Sequence, residues 1–428
     1  VKNKFLKNTS WLFFDKILKI SVGLFVTSWV ARFLGPKDYG VLNYSLAYIS
    51  LFALFTKIGL DQIVVRELVK KPHLTDHLLG TTFVLKFFGS LIAIIFILIS
   101  LWIVKTDQLT RLVILIMSIG LIFQSFDAID YYYQSIVLSK YAVIARSCAF
   151  LLTSLLQIYL IVQKNTTIYF ATAFSINFIL VALLFLYVYR RTGHYISHWR
   201  FNIQKARELL LYSWPLAVSA FLISIHARID QVMIGNILDT EQVGIYSVAV
   251  IISEFWYFIP ALLASSLMPY YVKLRENNTP LYELRLIQLY SLMFWMGVVA
   301  GVFVLIFGKQ MITLVFGNTY GASYNSLVIN IWNGIFISQA AVRGIWMISE
   351  NLQRYRLYNN LIVVTFNILL NYFLIPALGI TGAAIATLVT QSLGTWGISL
   401  LWKPFRKSTM DLIKASNPYY VYKLSRSL

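Results

Sequence analysis

Charge is scarce in this chain, and the scarcity sets its class. Of 428 residues only 12% are charged and 59% are hydrophobic, with a mean hydropathy of +0.71. A soluble domain carries about 25% charged residues. Too little polar surface is present here to cover a water-exposed ball, so the chain reads as an integral membrane protein. Cysteine is nearly absent: Cys148 stands alone, which excludes an intrachain disulfide. Acids are few, 17 against 36 Lys and Arg, for a net charge of +19. In a soluble protein that excess would point to nucleic acid. No nucleic-acid-binding motif accompanies it, and cytoplasmic loops and lipid headgroups account for basic residues in a membrane protein. The sequence also has no Walker A stretch, no HExxH and no long outer loop that could form a catalytic domain. His73/His77 and His194/His198 share an i,i+4 spacing without the context of a metal site. No catalytic residue, metal ligand or cofactor is therefore assigned. The basic, then apolar start lacks a small-residue cleavage site and is interrupted by Asp15, Lys16 and Lys19, which reads as a retained first helix.

What is there is a series of long apolar runs. They predict twelve helical spans near 10–33, 39–60, 78–104, 111–138, 141–163, 166–190, 209–237, 243–270, 287–307, 325–350, 355–378 and 380–402. Helices are required because lipid offers the backbone no partner, and no alternating barrel pattern appears. Of the Lys and Arg residues, 23 fall on the side of the N-terminus. Six fall on the other side: Arg32, Lys37, Lys105, Arg111, Lys164 and Lys309. That asymmetry predicts both termini in the cytoplasm.

The chain reads as one half built twice. Leu34 and Gly40 match Leu238 and Gly244, each pair 204 apart (238 less 34, 244 less 40). Ser10-Trp11 is echoed by Ser213-Trp214, and Lys140-Tyr141 by Arg354-Tyr355. The expected fold is all-α and polytopic, with two six-helix lobes. Residues 1–190 form the first lobe, 191–208 a basic cytoplasmic linker, 209–402 the second lobe and 403–428 a cytoplasmic tail. Parallel repeats of this kind place a substrate site between lobes in alternating-access transporters.

Seven cations remain inside spans: Lys16, Lys19, Lys57, Lys86, Arg146, Arg228 and Arg343. The acids in or near spans are Asp15, Asp127, Asp130, Asp230 and Glu254. Ionisable groups there are expensive and by default functional. All the cations but Arg228 fall in the cytoplasmic half, where they would attract an anion from that leaflet. Snorkelling to headgroups is the competing reading, strongest for Lys16 and Lys57. Lys19, Lys86, Arg146, Arg228, Arg343, Asp127 and Asp130 are the candidate substrate-binding residues. Asp15, Asp230 and Glu254 are the candidate ion-coupling carboxylates, since a carboxylate in a low-dielectric site can exchange a proton. Asp15–Lys19 and His226–Asp230 have i,i+4 spacing and could equally be neutralised structural pairs. The run Asp127-Ala-Ile-Asp-Tyr-Tyr-Tyr-Gln134 combines carboxylates, an amide and aromatic rings, which is sugar-binding chemistry. Its tyrosines could also belong to an interfacial belt.

Ala31-Arg-Phe-Leu-Gly-Pro-Lys-Asp-Tyr-Gly40, Asp230-Gln-Val-Met-Ile-Gly235 and Val243-Gly-Ile-Tyr-Ser-Val-Ala249 resemble the bacterial O-antigen and capsule repeat-unit flippases. These belong to the superfamily that includes the MATE multidrug antiporters. Arg32, Gly35, Gly40, Asp230 and Gly244 match the family pattern. The resemblance implies a MATE-like fold in the bacterial inner membrane. It implies flipping of an undecaprenyl-pyrophosphate-linked oligosaccharide, driven by a proton or sodium gradient through alternating access. A polysaccharide polymerase and a chain-length regulator would be the partners. A MATE-like cation or drug antiporter is the alternative, and an excess of intramembrane cations argues against it.

Overall fold

Gly35 and Pro36 divide the first long helix where the sequence places a turn. The computed structural model describes residues 2–350, 352, 354–397, 400 and 402–425, so the ends of the twelfth expected span and of the tail lie partly outside the described residues. Helix α1, Lys2–Ser50, is interrupted at Gly35, whose φ of 74° and ψ of 172° are not helical. Pro36 restarts the helix with its fixed φ and without a donor to leave unpaired. The elements that follow are α2 (Ala53–Lys57), α3 (Leu60–Lys70), α4 (Thr75–Ile103), α5 (Gln108–Phe123), α6 (Asp127–Ser135), α7 (Lys140–Val162), α8 (Thr167–Arg191) and α9 (Ile203–Ile237). The rest are α10 (Thr240–Glu254), α11 (Phe258–Asn277), α12 (Thr279–Val315), α13 (Ser323–Asn330), α14 (Asn333–Ser349), α15 (Arg354–Leu378), α16 (Ile380–Ser392), α17 (Lys403–Lys414) and α18 (Tyr419–Ser425). Among the described residues there is no strand.

Nine segments of the described residues are long and apolar enough to cross a bilayer. The first, Phe13–Ser50, joins the first expected span to much of the second. The tenth expected span is split into α13 and α14, and the twelfth includes a π-helical turn at Leu393–Gly397. The molecule is thus an all-helical polytopic membrane protein.

Two compact units divide the chain, residues 1–232 and 233–428. In the first, α5 and α7 pack on α8, and α1 packs on α7 and α5. In the second, α15 packs on α16, α12 on α14 and α10 on α13. The division falls late in α9, whereas the sequence puts the lobes' junction at 191–208. The segment after α8 is in fact fastened to the first unit. Trp199 lies 5.7 Å from the Phe83 ring, and its Nε1 donates to Tyr189 Oη at 3.2 Å. The Asn202 amide donates to Thr81 Oγ1 at 3.1 Å, and the Arg200 amide to the Asp76 carbonyl at 3.2 Å. Gly80 makes this possible, since a Cβ there would lie 2.6 Å from the Arg200 nitrogen. Glu208 at the start of α9 then meets Lys71 at 3.3 Å, and Lys71 meets Glu67 at 3.2 Å. Its bond to Glu67, with the second to Glu208, raises the Lys71 ammonium above its ordinary pKa.

Helix interruptions recur in the two units. The break after α1 begins at Leu51 and the break after α10 at Phe255, 204 residues apart (255 less 51). A second break separates α5 from α6 in one unit and α13 from α14 in the other. Broken helices at corresponding places are the usual pointer to a transporter's binding region, because freed backbone groups are tolerated only where they are buried in protein or line a cavity.

Candidate functional site

The break after α2 and the break between α5 and α6 both border one cavity of about 610 Å³. The second expected span is broken twice. After α2, Ile58 and Gly59 take left-handed backbone with φ of 50° and 63°. A β-branched residue at positive φ is a costly conformation, and strain of this kind persists where the surroundings impose it. The break sets Lys57 at the end of α2 and Asp61 at the start of α3, and both line the cavity with Gln62 and Arg66. The other break, between α5 and α6, brings Asp127, Asp130, Tyr131 and Gln134 to the same cavity.

Lys86 of α4 and Arg146 of α7 close the ring. Lys86 is 1% exposed, and its Nζ lies 3.0 Å from Asp127 Oδ2 and 3.2 Å from Tyr131 Oη. Arg146 Nη2 bridges the two carboxylates, 3.2 Å from Asp127 Oδ1 and 2.8 Å from Asp130 Oδ2. Gln134 Nε2 donates to Asp130 at 3.0 Å. The two intramembrane cations thus answer the two acids one for one. A buried charge is tolerable only when it is paired and its remaining lone pairs and protons are satisfied. At the mouth Lys57 and Asp61 are exposed, while Arg66 is held by Glu67 at 3.0 Å. The α2–α3 break therefore supplies accessible ionic groups beside a wall of paired ones.

Asp15 and Lys19 form the expected pair at 2.8 Å. Asp15 also accepts a hydrogen bond from Ser147 at 2.8 Å, and Ser147 directly follows Arg146 on α7. Arg228 and Asp230 lie on α9, with Asp230 buried, and neither lines this cavity. Glu254 is the last residue of α10. Arg343, in the second unit, is 5% exposed and donates to Thr409 Oγ1 at 3.1 Å. Of the seven candidate substrate-binding residues, the structure brings together Lys86, Arg146, Asp127 and Asp130. Asp61, Gln62 and Arg66 were missed, because the apolar-run criterion leaves residues after 60 in a loop. The signal that marks them is Gly59 between Lys57 and Asp61. His194 accepts or donates a 2.7 Å bond with Tyr132, and among the described residues no cluster suits a metal ion.

Helix breaks around a charged cavity, inside an all-helical membrane-embedded unit, define the class: an all-α polytopic membrane protein with a polar cavity in its first unit. The family model described as "Polysaccharide biosynthesis protein" matches residues 5–275, and the chain belongs to that family. The capsular polysaccharide biosynthesis protein CapF of Staphylococcus aureus is 23% identical over 394 residues, covering 90% of this chain and 96% of that protein. The probable flippase AglR of Haloferax volcanii is 28% identical over 208 residues, 45% of this chain and 41% of its own. Among solved structures, the lipid II flippase MurJ in an inward closed conformation has a TM-score of 0.72 at 16% identity, covering 96% of this chain and 90% of that one. An inward-facing MATE multidrug resistance transporter of the MOP superfamily has a TM-score of 0.68 at 14% identity, covering 94% and 96%. The structural likeness carries the fold.

Proposed function

We propose that this protein is a flippase for an undecaprenyl-pyrophosphate-linked oligosaccharide repeat unit, moving it from the cytoplasmic to the outer leaflet by ion-coupled alternating access. It works in the inner membrane with both termini in the cytoplasm. The cavity of the first unit carries the reading. Lys57 and Arg66 at its mouth suit the phosphates, by charge-assisted bonds of about 1.5–3 kcal/mol each. Asp61, Gln62 and Gln134 offer acceptors and donors for sugar hydroxyls. Lys86, Arg146, Asp127 and Asp130 hold the wall rigid and bind through the hydrogen-bonding capacity they retain. Asp15 is the favoured coupling carboxylate, because Ser147 ties it to the helix that carries Arg146. Asp230 and Glu254 are the other candidates, and a proton or sodium gradient is the drive. A polymerase and a chain-length regulator are the proposed partners.

The test is deletion of the gene, followed by quantification of lipid-linked repeat units on each face of the inner membrane. Accumulation on the cytoplasmic face is expected. Unchanged lipid-linked pools together with increased drug sensitivity would overturn the reading in favour of an antiporter. At residue level, Lys57→Ala is expected to lower surface polysaccharide about tenfold, the loss of one charge-assisted bond. The exposed position predicts normal membrane insertion, to be checked by immunoblot of the membrane fraction.

A further inference from the structure

Helix α17, Lys403–Lys414, is not a loose tail. Its inner face is built into the second unit. Phe405 packs 5.2 Å from the Trp346 ring and 5.5 Å from Tyr355, and Leu412 is fully buried. Thr409 accepts from Arg343, and Ser408 lies 3.3 Å from Tyr290 Oη. These contacts fix which way the outer face points. That face carries Lys403, Arg406, Lys407 and Lys414, all exposed, with Met410 54% and Ile413 45% exposed among them. In the following helix α18, Tyr419 and Tyr422 are 55% and 53% exposed. Two acids face the cations: Glu283 pairs with Lys407, and Asp411 lies 3.9 Å from Lys414. A positive balance remains.

Twelve residues span about 18 Å, too short and too polar to cross a bilayer. Yet α17 follows the last long apolar stretch by only a few residues, so it emerges at the membrane surface. A helix there with basic and aliphatic side chains on one face lies in the headgroup region. Zwitterionic lipid offers no net negative charge to Lys403 and Arg406, which no acid among the described residues pairs, whereas acidic lipid supplies one.

We propose that the outer face of α17 is a binding site for acidic phospholipid headgroups, with Met410 and Ile413 dipping into the acyl boundary beneath them. The site is independent of what the cavity carries. Because Thr409 and Ser408 occupy the inner face of the same helix, lipid bound outside holds in place the hydroxyls that meet Arg343 and Tyr290.

The experiment uses the full chain in nanodiscs and spin-labelled phosphatidylglycerol or phosphatidylcholine as probes. The wild type is expected to prefer phosphatidylglycerol by about fivefold or more at low salt, and the preference should collapse near 1 M salt. The variant Lys403→Gln/Arg406→Gln/Lys407→Gln/Lys414→Gln should lose that preference while melting like wild type in phosphatidylcholine. No preference in the wild type, or an undiminished one in the variant, overturns the proposal. As a measurement that does not depend on the variant's folding, nitroxides are placed at Ile413→Cys and at Lys407→Cys in a Cys148→Ser background. Position 413 should be shielded from an aqueous relaxation agent and position 407 open to it. Equal aqueous access at both positions also overturns the proposal.

Discussion

Asp127→Leu alone is expected to destabilise the first unit by about 3–5 kcal/mol, the usual cost of removing one partner of a buried ion pair. The reason is Lys86. Its ammonium is buried, and the substitution takes away its carboxylate and leaves the Tyr131 hydroxyl beside it. At 1% exposure the ammonium is almost wholly out of solvent, so losing its carboxylate leaves a poorly compensated charge. Adding Lys86→Met removes the stranded charge, and the double variant should regain most of the lost stability, since replacing a whole buried pair by apolar residues is often neutral. Arg146 keeps Asp130 in both variants. Thermal melting of purified wild type, both single variants and the double variant completes the cycle. Additive losses would show that Lys86 and Asp127 do not act as a pair. Transport should be lost in the double variant despite its restored melting temperature, which separates the pair's part in the cavity from its part in folding. For the same reason Lys86→Ala alone tests transport poorly.

Gly59→Ala carries the second large effect. A Cβ at this position would lie 2.6 Å from the Ala217 nitrogen and 2.7 Å from the Ser213 carbonyl oxygen. Both are backbone atoms of α9, and neither can turn aside. Left-handed backbone adds about 1–2 kcal/mol for a residue with a side chain, and overpacking adds about 1–3 kcal/mol. The variant should accumulate poorly and melt lower. Ile58→Gly is the informative contrast. It relieves a β-branched residue at a φ of 50°, offset by the extra chain entropy of glycine, so it should fold near wild-type stability. Equal damage from both substitutions would mean that the break itself, and not the close approach of α9, limits folding.

The class and fold were legible because lipid enforces them. Apolar runs of spanning length leave the backbone no option but helix, and the interruption at Gly35–Pro36 follows from the two residue types least suited to continuing one. The tetrad Lys86, Asp127, Asp130 and Arg146 was legible as a set of residues, since charges in spans are few and costly. Its pairing was not. Which cation faces which acid depends on helix rotation, and hydropathy does not record rotation. Reading Lys86 and Arg146 as surplus positive charge therefore missed that each meets a carboxylate. The run Asp127–Gln134 stood out because polar residues cluster in it, while Asp61 and Gln62 did not, because they follow the point where the apolar run ends. The segment 191–208 reads as a linker because it is polar and basic. What fastens it are single residues, Trp199 on Phe83 and the small Gly80 beneath Arg200, and composition does not register single contacts.

That fastening bears on how the chain is made. Residues 192–202 and the opening turns of α9 clasp the first unit, so the unit is complete only after they have left the ribosome, and it is then complete before α10 exists. A chain cut within 192–202 would be born as an unclasped first half, whereas a cut at Leu238–Asp239, beyond the end of α9, would release a half with every one of those contacts intact. Co-expressed halves should accordingly reassemble from the second cut far better than from the first. The seam at which this protein can be divided and rejoined lies some forty residues past the one its polar stretch advertises (238 less 197).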